Sequence, residues 1–383
     1  MDHNAGFKLP RQEQLASVFF NLLPGETRDK IFTSALNCYE DPKKLWDVNT
    51  PYVRPGYSAA QVADTALLQT CQRIYAENWF RPWVSAVHTF YLTSQDRRPE
   101  DGYVTTIDKF QPRLNRLYVD HGEVEVSHVQ VFAQMYALES LNSSLIPILR
   151  MENFFPRKLT VSLRHHDWWW WENDQRLQIN GAWIRVCQFP DSLKEVCIEL
   201  ESLQRKKNQI DWIADEMVQS WHLLRLDGTI MSATKEDCKV SAWSGSSTWG
   251  GQRWIRDESQ PGVNEYYVKT VTWKANNEKT NQSEPRTLQV PESFPVMAGN
   301  RASVNVSLLE RAGIPAGLPG DETLQRVMEW ERENRRRPET KPVQTRRSVH
   351  DGFDDEVQDM RDDFVQGNAY EDDEESEEDT TED

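Results

Sequence analysis

Apolar residues recur along this chain with two different periods. Between Leu15 and Leu36 they return every three or four positions, and Ile31, Phe32, Ala35 and Leu36 share one helical face. Pro24 interrupts that stretch. Ala63, Leu67, Leu68, Cys71, Ile74 and Tyr75 repeat the spacing and predict a second helix, which Pro82 closes. The Tyr39 to Gln61 interval carries Pro42, Pro51, Pro55 and Gly56 and reads as a loop.

From Val87 the period changes to two. Val87 to Leu92, Leu114 to Val119, Leu159 to Leu163, Val196 to Leu200, Leu224 to Leu226 and Tyr266 to Trp273 read as strands. Helices fit between them. One covers Ser127 to Leu141, and a shorter one has Ser143 or Ser144 as cap and Pro147 in its first turn. A third carries Ile179, Trp183 and Val186. The most amphipathic stretch runs from Ile210 through Ile213, Ala214, Met217 and Val218 to Trp221.

Strands alternating with helices predict an α/β (or α+β) chain with parallel pairing. The strands alternate apolar and polar residues, so helices are expected on one face and a more open opposite face. That describes an irregular, leucine-rich-repeat-like layering of strands and helices, although no repeat consensus is present. The expected organisation is a helical segment over 1–85, a Trp-rich α/β body over 86–275, a loop or linker over 276–320, a helix over 321–337, and a basic-then-acidic tail over 338–383.

Charge sharpens the last boundary. The net charge is -17, and residues 351–383 hold 17 Asp and Glu against one Arg, so residues 1–350 are close to neutral. A nearly neutral body has no basic field for nucleic acid. The one-signed tail, poor in apolar residues, is expected to be disordered. The basic run from Arg332 to Arg347, which includes Arg335, Arg336, Arg337 and Arg346, reads as a nuclear-import signal, as a nucleic-acid contact, or as a solvated linker neutralised by the acidic tail. Five scattered cysteines show no zinc or disulfide spacing, and the longest apolar run is too short for a bilayer. An intracellular protein of the cytoplasm or nucleus, without membrane anchor or cofactor, is the expectation.

Two aromatic segments are the most unusual local features among the 15 Trp residues. In Arg164-His165-His166-Asp167 followed by Trp168, Trp169, Trp170 and Trp171, four consecutive indoles cannot all enter one core. Some must reach a surface or the floor of a groove. Adjacent histidines on a strand point apart, so they do not predict a metal site. The second segment, from Trp243 to Trp254, lacks the endings of a phosphate loop and of a nucleophile elbow. Trp168 to Trp171, with Trp249, Arg253 and Trp254, form the candidate partner or ligand surface; the bland alternative is that they pin loops against the core. No Ser/His/Asp set is recognisable in sequence order, and no catalytic or metal-ligating residue is assigned.

Leu23-Pro24-Gly25-Glu26-Thr27-Arg28, with Ile31 and Leu36, resembles the opening of F-box domains. Leu67 to Tyr75 resembles the closing helix of the F-box-like openings found in many filamentous-fungal proteins, and the Trp-rich body resembles an uncharacterised fungal family that carries such an opening. The resemblance implies that Leu23, Pro24, Ile31 and Leu36 contribute to a surface for a Skp1-type adaptor of a ubiquitin ligase. Gly25, Thr27 and the long interval between the two segments depart from a compact F-box. The functional expectation is a non-catalytic protein-interaction module, with an F-box-type substrate adaptor as its specific form. The alternatives are a scaffolding protein whose opening helices pack on its own body, and an enzyme or ligand binder with a Trp-lined pocket.

Overall fold

Period-two sequences build the centre of the molecule. In the computed structural model, which describes residues 14, 17–140, 143–275, 285–297 and 301–335, one eight-stranded sheet runs through the body. Its strands are β1 (Val87–Leu92), β2 (His128–Ala133), β3 (Lys158–Leu163), β4 (Glu195–Leu203), β5 (Leu223–Leu224), β6 (Ile230–Ser232), β7 (Cys238–Ser246) and β8 (Val263–Ala275). The first four are parallel and lie side by side in chain order. Each return needs a crossover, and helices supply it: Ile107–His121 before β2, then Met135–Glu139 and Leu145–Leu149 before β3, then Ala182–Val186 before β4. β8 reverses direction against β4 and carries β7 along most of its other edge, with β6 paired further along.

One face of this sheet is apolar. Val129, Val131, Leu159, Val161, Val196, Ile198, Val271 and Trp273 are buried there with Ile210, Ile213 and Met217 of the helix Lys207–Ser220. Lys269 reaches from that face to Asp211 and Asp215 on the same helix, at 3.0 and 3.1 Å.

The opposite face was expected to be open, and it is not. Gln130, Phe132, Thr160, Ser162 and Glu201 are all buried. The chain that reads as a proline-rich loop covers them. It forms an antiparallel hairpin, Cys38–Leu45 with Ala59–Ala63, whose register is irregular around Pro42, as a residue lacking an N–H requires. The connecting residues 46–58 then pass over the sheet, and Tyr57 packs edge-on against Phe132 with centroids 4.9 Å apart.

Other elements differ from their predicted form for visible reasons. Leu114–Val119 is helical, because Phe110, Leu114 and Leu117 bury one face at spacings of four and three while Val119 is 82% exposed. Ser127 to Leu141 divides into β2 and the helix Met135–Glu139. Ile179 lies in a two-residue strand that pairs with Leu288–Gln289. The described parts of the expected 276–320 linker are packed: Leu288 and Val290 join the main core, and Asn305 caps the helix Val306–Arg311 by accepting from the Ser307 and Leu308 amides. Ile255, Val304, Leu309, Ile314 and Val327 form a small second core. The last described helix is Gly320–Arg335. A unit beginning at Glu331 is described only to residue 335, and the expected acidic tail lies outside the described residues. No described helix is long and apolar enough to cross a membrane, and all five cysteines are free thiols.

Candidate functional site

The polar face of the sheet meets the residues 46–58 segment around a cavity of about 580 Å³. Its walls come from distant parts of the chain. The segment contributes Thr50, Pro51, Val53 and Arg54; the end of β3 leads to Arg164 and His166; β7 and β8 contribute Trp243, Gly245 and Tyr266; β4 contributes Glu201. A volume of this size lies within the range of small-ligand and side-chain pockets.

Buried charge fixes the cavity floor. The Arg54 guanidinium sits 3.4 Å from both Glu199 and Glu201. Among the described residues, its Nε and one terminal nitrogen have no hydrogen-bond partner. Burial works against the Arg54 charge, but the two carboxylates outweigh it and hold the guanidinium protonated. Arg164 pairs with Asp167 through two nitrogens, at 2.7 and 3.2 Å, and donates to the carbonyls of Pro51 and Arg97. It therefore ties the covering segment to the end of β3. His166 is buried, and burial together with the Arg164 and Arg97 cations holds its imidazole neutral. The charges are matched inside the protein, so an incoming group needs none.

The side wall is aromatic. Trp243 lies on Tyr266 with centroids 4.3 Å apart and planes 20° apart, and it donates its indole N–H to Glu201 at 3.1 Å. Gly245 makes this possible, since a Cβ there would meet the Trp243 ring at 2.5 Å. Trp249 forms the next section of wall and belongs to a cluster with Trp171 and Trp254, with centroids 4.4 to 5.2 Å apart. The Arg97 guanidinium lies over Trp171 and Trp249 at 5.6 and 5.7 Å.

The candidate tryptophans separate by role. Trp168 is buried and donates to the Glu201 carbonyl at 2.8 Å. Trp169 is half-buried and donates to Glu139 at 2.7 Å. Burial pushes Glu139 up to about 7, against hydrogen bonds from Asn180 and Trp169. Trp170 is 38% exposed in a left-handed backbone conformation, φ 54°. Trp171 is buried behind the cavity wall. The turn of left-handed geometry is what sends the four indoles in different directions. Arg253 is not a surface group: it is buried, pairs with Glu258 at 2.7 Å, and donates to the Ala316 and Leu318 carbonyls. Trp254 is half-buried inside the indole cluster.

A serine, a histidine and an aspartate do converge, although the sequence did not show it. Ser202 Oγ lies 3.3 Å from His165 Nδ1, and His165 Nε2 lies 3.8 Å from Asp257. Burial alone would raise the Asp257 carboxyl, but His165 and Arg256 hold it well below the usual carboxylate range. Ser202 has no exposed surface, so no acyl group reaches its hydroxyl in this conformation. The trio joins a buried ionic network in which Arg205 bridges Asp174 and Asp257 at 2.7 and 2.6 Å. Among the described residues, no group of three or more His, Cys, Asp or Glu is arranged to hold a metal ion.

At the other end of the chain, Leu23, Pro24, Ile31 and Leu36 do not share one surface. Leu36 is fully buried with Phe32, Leu68 and Ile74, Leu23 is half-buried, and Pro24 and Ile31 are exposed. No protein-family model, curated protein or solved structure matches the chain.

Arg54, Arg164, Glu199 and Glu201 escaped sequence reading as site residues. Arg54 hides in an interval that looks like a loop. Glu199 and Glu201 hide at the polar positions of an alternating strand, where solvent is the default expectation.

Proposed function

We propose that this chain is a non-catalytic recognition module of the F-box adaptor type, whose opening helices dock on a Skp1-type adaptor and whose body holds a target. One observation carries the proposal. The opening has its own apolar cluster, Phe32, Leu36, Leu68 and Ile74, separate from the core of the body. It leaves Val18, Leu22 and Ile31 exposed, at 68, 70 and 39%. An opening that merely completed the fold would turn those side chains inward. Helix-on-helix recognition uses such side chains as anchors.

The test is titration of the full-length protein with a purified Skp1-type adaptor. Leu22→Asp and Ile31→Asp should weaken the complex by about tenfold or more, equivalent to about 1.4 kcal/mol, without changing the melting temperature. Leu36→Ala should instead destabilise the fold. No complex at high micromolar adaptor would remove the ubiquitin-ligase reading and leave the scaffolding one.

A further inference from the structure

Strand β7 is an edge of unusual regularity. On one side it pairs with β8 at every position, from Cys238 opposite Val271 to Ser246 opposite Val263. On the other side no described strand pairs with it, and beyond its first residue, whose N–H donates to the Lys235 carbonyl, no described backbone group outside the sheet bonds to it. It has no proline and no bulge. Lys239 through Ala242 are exposed, including Val240 at 59%. Edges of this kind are normally blunted, because their free N–H and C=O groups are a template for another strand. Among the described residues, the charge of Lys239 is the one such guard on this strand.

The same strand walls the cavity. Trp243, Ser244, Gly245 and Ser246 belong to both. Lys239, Ser241, Trp243 and Gly245 alternate onto the face that carries Tyr266. A strand laid beside β7 would set the residue opposite Gly245 on that face as well, with its side chain next to Trp243. Gly245 projects nothing there, and the Trp243 ring leans over it, so the incoming side chain would meet the edge of that indole at the cavity mouth.

We propose that β7 and the cavity together form a peptide-binding groove. An extended segment of another protein adds a strand to β7 and turns one uncharged aromatic side chain toward Trp243, Trp249 and Tyr266. The main chain would supply affinity and the cavity selectivity, as in strand-addition recognition. A charged side chain is disfavoured because Arg54 and Arg164 already have their carboxylates. A second copy of this chain fits less well. The antiparallel self-pairing of longest overlap centres on Ala242 and sets Gly245 opposite the other copy's Lys239. That would direct an ammonium toward a cavity whose lining carboxylate, Glu201, is already engaged by Arg54 and Trp243. The inference does not depend on the adaptor reading.

The experiment uses the full-length protein and a displayed library of random peptides of about ten residues. Selected peptides should share an aromatic residue. On binding, alternate amides between Cys238 and Gly245 should gain protection from hydrogen exchange. Ser241→Pro and Ala242→Pro should divide: one N–H faces β8 and its loss destabilises, while the other faces outward. The outward variant should keep its melting temperature and lose about tenfold or more in peptide affinity. Absence of any enriched peptide, protection confined to other segments, or a dimer in sedimentation that the outward proline dissolves would each overturn the proposal. If both prolines unfold the chain, the exchange pattern of the unaltered protein decides.

Discussion

The Arg54 guanidinium and the Glu201 carboxylate meet at 3.4 Å with less than a tenth of either side chain exposed. A buried pair of this kind does little for stability compared with an apolar pair, but removal of one partner strands the other. Glu201→Gln should lower unfolding free energy by about 3 kcal/mol, at the low end of such changes because Glu199 remains beside Arg54. Urea denaturation measures it. An unchanged midpoint would mean that the covering segment does not bury Arg54 in solution.

Single tryptophan replacements should not behave alike. Trp171→Ala removes a buried ring from the indole cluster and should cost about 3–5 kcal/mol. Trp170→Gly loses a partly exposed ring and relieves a left-handed backbone, so its cost should stay below about 1 kcal/mol. Thermal melts of the two variants side by side provide the comparison.

Acid and base should pull the stability in opposite directions through different groups. Burial raises Glu139 to about 7, so between its ordinary range near 4.5 and 7 the folded protein binds more protons than the unfolded one. Stability therefore falls as pH rises through that window, and Glu139→Gln should flatten that part of the profile. Burial lowers His88 and His128 to about 4. Unfolded, each takes its proton near 6.5, so stability falls as pH drops from 6.5 toward 4. Denaturant midpoints collected across pH 4 to 8 separate the two effects.

Gly245→Ala should disturb the cavity wall and not merely stiffen a strand. The new Cβ would displace the Trp243 ring from Tyr266 and pull its N–H from Glu201. A cost of about 1–3 kcal/mol is expected for this overpacking, with a change in near-ultraviolet circular dichroism. Val240→Ala, on the exposed side of the same strand, should alter neither.

How far the sequence could be read depended on what set each residue's environment. Leu159, Val161, Val196 and Ile198 reveal their strands because side-chain period and burial coincide. The Lys207–Ser220 helix is legible for the same reason. Leu114 and Leu117 mislead, since a short apolar run serves either period and only the position of Phe110 decides between them. The covering segment was illegible, because its prolines describe local backbone while its burial is decided by Glu199 and Glu201, more than a hundred positions away. The tryptophan run announced that indoles would diverge, but not that the exposed one would be Trp170.

The parallel order of the first strands has one more consequence, for the orientation of protons. Gln130 donates its amide to Ser162 at 2.7 Å, and Ser162 passes its own hydroxyl hydrogen to Glu199. Glu199 and Glu201 share Arg54, and Glu201 receives the Trp243 indole hydrogen. A relay of fixed polarity thus spans the sheet from β2 to β7, with its donors at both ends and its acceptors in the middle. Ser162 has a single hydrogen and cannot serve both neighbours in the reverse sense. Loss of the Gln130 amide would take a donor from the Ser162 oxygen but leave its hydrogen on Glu199, so the polarity that reaches the cavity is fixed from the carboxylates outward and not from the far strand.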